Sequence, residues 1–263
     1  MTMMYETLTI ETDTRGVTRI TLNRPKNGNA LNDTLIRELN DAFLQCDRMA
    51  DVRLVVLTGA GKMFCSGGDL AWMLAINDAS RSERVASSRA LANMLQAADR
   101  IGKPVIARVN GAAFGGGVGL VSIADSVVAA EGARFALSEV RLGLVPANIA
   151  PYVVRRIGAA NARRHALSGR QFSSAEAHAM GLVHDVVSDE ALDAGVEREI
   201  AAFLQAAPEA IRITKSLISY VDSHGDHDNI PYTADRLADA WETECGREGI
   251  RSFLNKAVPS WRA

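Results

Sequence analysis

The chain has 263 residues, of which 48% are hydrophobic and 23% charged, with a formal net charge of -2. That length buries one large core, or a core with a small appendage, and the hydrophobic fraction excludes wholesale disorder. A near-neutral balance offers no footprint for nucleic acid or an anionic membrane.

The opening "MTMMYETLTIETD" has no basic run and meets Glu6 at once, so it does not read as a secretory leader. Two strands follow, 5–12 and 17–23, turning at Arg15-Gly16 and closed by Pro25. Asn32 can cap a helix whose apolar positions Leu35, Leu39, Ala42, Phe43 and Cys46 repeat at helical spacing. The run 53–59, "RLVVLTG", reads as a buried strand, and 71–77 and 82–99 read as helices, the second with Leu91, Met94, Leu95 and Ala98 on one face. Strands at 104–109, 126–131 and 134–137 flank a further helix. The apolar stretch 104–130 is interrupted by Arg108, Asn110, Asp125 and glycines, so it is core and not a membrane span. Apolar, non-alternating strands separated by helices predict a mainly parallel sheet, whose ligands gather at the carboxyl ends of the strands.

From about 149 the pattern becomes helical. Ser173 and Glu176 form a capping box, Gly181 suits a C-cap, and helices are expected at 189–206, 208–222 (Pro208 in its first turn), 230–244 and 246–255, with "DSHGDHDN" as a loop. Cys46, Cys65 and Cys245 are odd in number and widely spaced, which fits a reducing, cytoplasmic setting better than disulfides or zinc.

Two glycine-dense stretches follow predicted strands: "GKMFCSGGDL" at 61–70 and "NGAAFGGGVGL" at 110–120. Neither has dinucleotide-binding spacing, and no Lys-Ser or Lys-Thr follows to make a phosphate loop. Their amides can instead converge on a developing oxyanion, although tight packing explains glycines at such junctions equally well. Glu139 in "RFALSEVRLGLVP" tips the choice. A carboxyl in apolar sequence is costly unless protonated or paired, with Arg141 the available partner, and beside an oxyanion site it suits proton transfer at a carbon next to a carbonyl.

Four motifs in order carry a resemblance: "LNRPKNGNAL" at 22–31, "FCSGGDL" at 64–70, "NGAAFGGGVGL" at 110–120 and "FALSEVRLGLVP" at 135–146. With them the chain resembles the enoyl-CoA hydratase/isomerase (crotonase) superfamily, in the branch of methylglutaconyl-CoA and carboxygeranoyl-CoA hydratases. The resemblance implies an α/β fold, the crotonase (ClpP-like) spiral of repeated β-β-α units with a C-terminal helical region. It places the acyl-CoA site in a core of 1–190 and assigns 191–263 to trimerisation, as a homotrimer or homohexamer. It implies that Gly68 and Gly116 donate the N–H groups of an oxyanion hole, and that Glu139 is the catalytic acid. The segment Gly68, Asp69, Leu70 and Ala71 would line the acyl-CoA site, with Arg24, Lys26 and Ala30 near the nucleotide end, and Asp69 would serve the turn itself. No metal and no permanently bound cofactor are expected, coenzyme A entering with the thioester; neither nucleic acid nor membrane is an expected partner.

One departure stands out. The resemblance implies a second glutamate, as typical hydratases carry, three residues after Gly116, where this chain has Gly119. Three readings follow: hydration of a 2-enoyl-CoA, with water held by Glu139 or a group such as Asn148; isomerisation by Glu139 alone; or acyl-CoA binding without catalysis. A carboxylated substrate would call on Arg141 or Arg155. The remaining candidates read as structural: Cys65 as packing, His224 and His227 (with Asp222, Asp226 or Asp228) as an exposed loop instead of a metal site, and His165, His178 and His184 as helix-associated. Trp72 and Met73 suit an acyl tunnel or a helix face, and Trp241 and Phe253 a helix or subunit interface.

Overall fold

The structure, a computed structural model, describes residues 5–262; the leader reading of residues 1–4 lies outside them. Among the described residues, ten strands and ten α-helices follow one another in repeating units. Strands β1 (Leu8–Thr12) and β2 (Val17–Leu22) form an antiparallel hairpin, its turn held by Asp13, whose carboxylate accepts from the amides of Arg15 and Val17. Helix α1 (Asp33–Arg48) begins at Asn32, whose side chain accepts from Leu35 N at 2.9 Å, and it buries the apolar stripe read from the sequence together with Ile36.

Then come β3 (Leu54–Gly59), β4 (Met63–Cys65), α2 (Leu70–Asp78) and α3 (Arg81–Arg100), then β5 (Val105–Val109), β6 (Ala112–Phe114) and α4 (Gly116–Ser122). Next are β7 (Ser126–Ala130), β8 (Arg134–Ala136), a 3-10 turn over Glu139–Leu142 and α5 (Ala150–Ser168). In each of these units the first strand joins a six-stranded sheet ordered β1-β2-β3-β5-β7-β10, and the second joins a four-stranded sheet ordered β4-β6-β8-β9. This is the expected α/β spiral of β-β-α units.

The large sheet is parallel from β2 onward, Val17 to Leu22 pairing in register with Leu54 to Gly59. All six residues of β3 are buried because both faces are covered. Val55 and Leu57 face the main core with α1 and α3, while Leu54 and Val56 meet Leu192, Val196 and Ile200 of α7 (Leu192–Leu204). Burial on both sides is why Leu54 to Leu57 of β3 are apolar without alternation.

Several details differ from the sequence reading, the first being that β4 and β6 lie inside the two glycine stretches, where no strand is expected. The region after 149 also holds two strands, β9 (Gln171–Ser173) antiparallel to β8 and β10 (Asp185–Val187) parallel to β7. Three residues are too few to show a period, so only the pairing reveals them. Between them lies α6 (Ser174–Ala179), with the expected Ser173–Glu176 capping box; its C-cap is Met180, and Gly181 follows with φ of 78°. Finally, "DSHGDHDN" is not a loop: α8 (Pro208–Ser223) and α9 (Asp226–Glu242) are separated by two residues, and α9 starts four residues earlier than its pattern predicts. Asp226 and Asp228 in its first turn favour a helix N-terminus there, and Pro231 lies inside the helix. Helix α10 (Glu244–Leu254) follows Thr243, whose hydroxyl accepts from Gly246 N.

Candidate active site

The loop before α1 is held from within. Asn29, fully buried, accepts from Arg24 N through its side-chain oxygen and donates to the carbonyls of Ala60 and Met63 at 2.9 and 2.8 Å. The loop then makes an isolated parallel bridge to the first glycine stretch, Leu31 N donating to Gly67 O (2.7 Å) and Asp69 N to Leu31 O (2.9 Å). These two bonds flank Gly68 and leave its own amide outside the bridge. The Leu31 side chain packs onto the second glycine stretch so closely that a Cβ on Gly116 would sit 2.5 Å from Leu31 Cδ1. Gly116 is the first residue of α4, where the amide has no intrahelical acceptor. Leu31, which sequence reading passed over, is thus the spacer between the two glycines.

Gly68, Gly116 and Glu139 line one cavity of about 420 Å³. Trp72, Met73 and Ile76 of α2 form one wall, Arg84, Ser88 and Leu91 of α3 another, and the segment 144–149 a third. Gly115, just before α4, has φ of 47°, and a Cβ there would lie 3.0 Å from Glu139 Oε1. Only glycine meets both the left-handed backbone and the approach of the carboxyl.

Glu139 opens the 3-10 turn at the end of β8. Its Oε2 is buried without a hydrogen-bond partner, and burial raises its carboxyl above the ordinary glutamate range. The salt bridge to Arg141 allowed by the sequence does not form. Arg141 turns away to Gly169, where its Cγ would lie 2.9 Å from an added Cβ. A carboxyl with no cation and an unsatisfied oxygen is poised to hold and give a proton.

The second carboxylate position is closed. A Cβ on Gly119 would meet Ile149 Cγ2 at 2.3 Å, and Ile149 is only 3% exposed. Ile149 and Pro146 also form the wall shared with a second, apolar cavity of about 310 Å³.

The other expected site residues, Arg24, Lys26, Ala30, Asp69, Leu70 and Ala71, are not among those lining this cavity. Asp69 caps α2, accepting from Ala71 N (3.0 Å) and Trp72 N (3.3 Å), and pairs with Arg24 Nη2 at 2.8 Å. Burial opposes its ionisation, but Arg24 and the amides hold its carboxyl below the usual range. Arg24 also donates to Ala30 O, Ala30 is buried, and Lys26 is exposed on the 3-10 turn Pro25–Asn27. Leu70 and Ala71 are exposed at the start of α2. Arg155 pairs with Asp99 and, like Arg141, lies outside the cavity lining; Arg84 is the cation on that lining, with Nε donating to Ile76 O at 3.0 Å.

Several of the residues read as structural are packed or partnered. Burial pushes the Cys65 thiol up to about 12, far from a nucleophile's range. His224 stacks on Tyr220 at 3.8 Å, and among the described residues no group of three His, Cys, Asp or Glu could hold a metal ion. His165 packs in the core against Phe172, and His184 Nδ1 accepts from Val127 N.

Residues 12–263 match the family described as enoyl-CoA hydratase/isomerase. The chain is 41% identical over 217 residues to the enoyl-CoA hydratase ACTT6 of Alternaria alternata, covering 82% of this chain and 71% of that protein. Among solved structures it is similar to AtuE of Pseudomonas aeruginosa (TM-score 0.95, 37% identity, 98% of this chain and 100% of that one). It is also similar to an enoyl-CoA hydratase from Shewanella pealeana (TM-score 0.94, 33% identity, 97% and 96%).

Proposed function

Because the chain belongs to the enoyl-CoA hydratase/isomerase family, we propose that it is a hydro-lyase adding water to a 2-enoyl-CoA thioester, with Glu139 as its acid. The observation that carries this reading is the unpaired Glu139 carboxyl sharing a cavity with Gly68 and Gly116. The thioester oxygen accepts from the amides of those two glycines, which draws electron density from the double bond and leaves the β-carbon open to attack. Glu139 delivers the proton to the α-carbon. Coenzyme A enters as part of the substrate, its nucleotide end near Arg24, Lys26 and Ala30 and its arm along Gly68, Asp69, Leu70 and Ala71; no resident cofactor is invoked.

A branched or carboxylated acyl chain, of the methylglutaconyl type, belongs to the same reading. Support comes from Arg84, whose guanidinium retains donors beyond those given to Ile76 and Asn77, and from the apolar cavity behind Ile149. Three unpaired cysteines fit a reducing, cytoplasmic location. Exposed apolar residues on α9 and α10 fit assembly of 191–263 into a trimer or hexamer around the 1–190 core.

A second reading, double-bond isomerisation, draws on the closed position 119. One carboxyl suffices to take a proton from one carbon and return it two carbons along. Mass-resolved turnover of 2-enoyl and 3-enoyl thioesters, with Glu139→Gln as control, separates these. A product heavier by one water supports hydration; unchanged mass with a moved double bond supports isomerisation. Binding without either product sinks both and leaves a non-catalytic acyl-CoA binder.

A further inference from the structure

A hydratase must hold the attacking water as well as the proton, and the place of a second carboxylate is filled here by Ile149 against Gly119. The polar groups left on the cavity wall, besides Glu139, are Asn77, Arg84, Ser88 and Asn148. Arg84 gives Nε and Nη2 to the carbonyls of Ile76 and Asn77, and a guanidinium has no acceptor for a water's proton. Ser88 and Asn148 meet each other, with Ser88 Oγ donating to Asn148 Oδ1 at 3.1 Å.

Resting on the hydratase reading, we propose that Ser88 and Asn148 together position the water that adds to the β-carbon. The pair spans two walls of the cavity: Ser88 stands on α3, and Asn148 lies in the segment that leads from Glu139 to Ile149. Asn148 is the neighbour of the residue that closes position 119, so the pair stands beside the space a second carboxylate would have used. The Ser88 bond occupies Asn148 Oδ1 and orients the amide, whose Nδ2 then donates to the water, while the Ser88 oxygen keeps lone pairs to accept from it. Neither group exchanges a proton. The water oxygen bonds to the β-carbon as the π pair moves to the α-carbon; the α-carbon takes the Glu139 proton, and the Glu139 carboxylate recovers one from the water.

The test compares two reactions of the purified protein. One is hydration of a 2-enoyl-CoA. The other is exchange of the α-hydrogen of a saturated acyl-CoA in deuterated water, which needs Glu139 and the oxyanion donors but no nucleophilic water. Asn148→Ala and Ser88→Ala are expected to slow hydration about a hundredfold, the scale of a misplaced reactant, while exchange continues at the native rate. Ser88→Thr, which keeps the hydroxyl, restores hydration, and Glu139→Gln abolishes both reactions. Equal loss of hydration and exchange in the alanine variants makes the pair a structural tie and overturns the proposal, as does unchanged hydration in both. A native protein that exchanges but never hydrates removes the hydratase reading and this inference with it. Native hydration that the variants leave intact removes the inference alone.

Discussion

Glu139 gains its chemistry from what surrounds it: a glycine at 115 that lets the backbone approach, and an oxygen with nothing to pair with. Because burial holds its proton, the unfolded chain ionises this carboxyl at a lower pH than the folded one. Stability is therefore lost as pH rises from the ordinary glutamate range through the raised value. Glu139→Gln removes that loss, so thermal unfolding followed against pH should show the variant gaining on the native protein toward neutral pH and converging with it in acid. Activity that needs the protonated acid falls over the same rise. Gly119 makes a second residue-scale case. Gly119→Glu must displace Ile149 and is expected to cost about 1–3 kcal/mol, the scale of an overpacked core. In a double-mutant cycle by chemical denaturation, Ile149→Ala should recover part of that cost, because the two side chains compete for one space.

At the scale of elements, the start of α2 is coupled to the loop before α1. Asp69 caps the helix and holds Arg24, and the side chains of that pair are only 17% and 10% exposed. Asp69→Ala removes the cap and leaves a guanidinium without its anion, so a loss of about 2 kcal/mol is expected. Asp69→Asn, which keeps a capping oxygen, should lose less. Equal melting temperatures for the alanine variant and the native chain would show that the link contributes nothing. The same substitution loosens Gly68, and a rise in KM for acyl-CoA should accompany it.

For the whole molecule, α8, α9 and α10 bury no residue in the single chain. Ile230, Leu237, Phe253 and Leu254 stand between 62% and 85% exposed, the kind of apolar surface that suits an interface. Light scattering is expected to give three or six times the chain mass, and Phe253→Asp with Leu254→Asp to lower it. A native protein that scatters as a single chain would set the trimer aside.

Residue patterns alone gave a mainly parallel sheet wrapped by helices, the Asn32 and Ser173 caps, the two glycine stretches and the lone acid, because each is a local pattern of spacing or chemistry. The spiral of β-β-α units came from the family resemblance. Fully apolar β3 could be read as a strand since both its faces are covered. Strands β4, β6, β9 and β10 could not, because segments so short show no period and these lie in glycine-rich or helical surroundings. The start of α9 was hidden in the polar segment "DSHGDHDN", whose Asp226 and Asp228 serve the first turn of the helix. Tertiary structure alone decided that Leu31 spaces Gly68 from Gly116, that Ile149 closes position 119, that Arg84 reaches the cavity while Arg141 and Arg155 do not, and that Ser88 meets Asn148. Each of these is a contact between residues distant in the chain. Which side chain fills a given space is settled by packing in three dimensions, and no spacing along the chain records it.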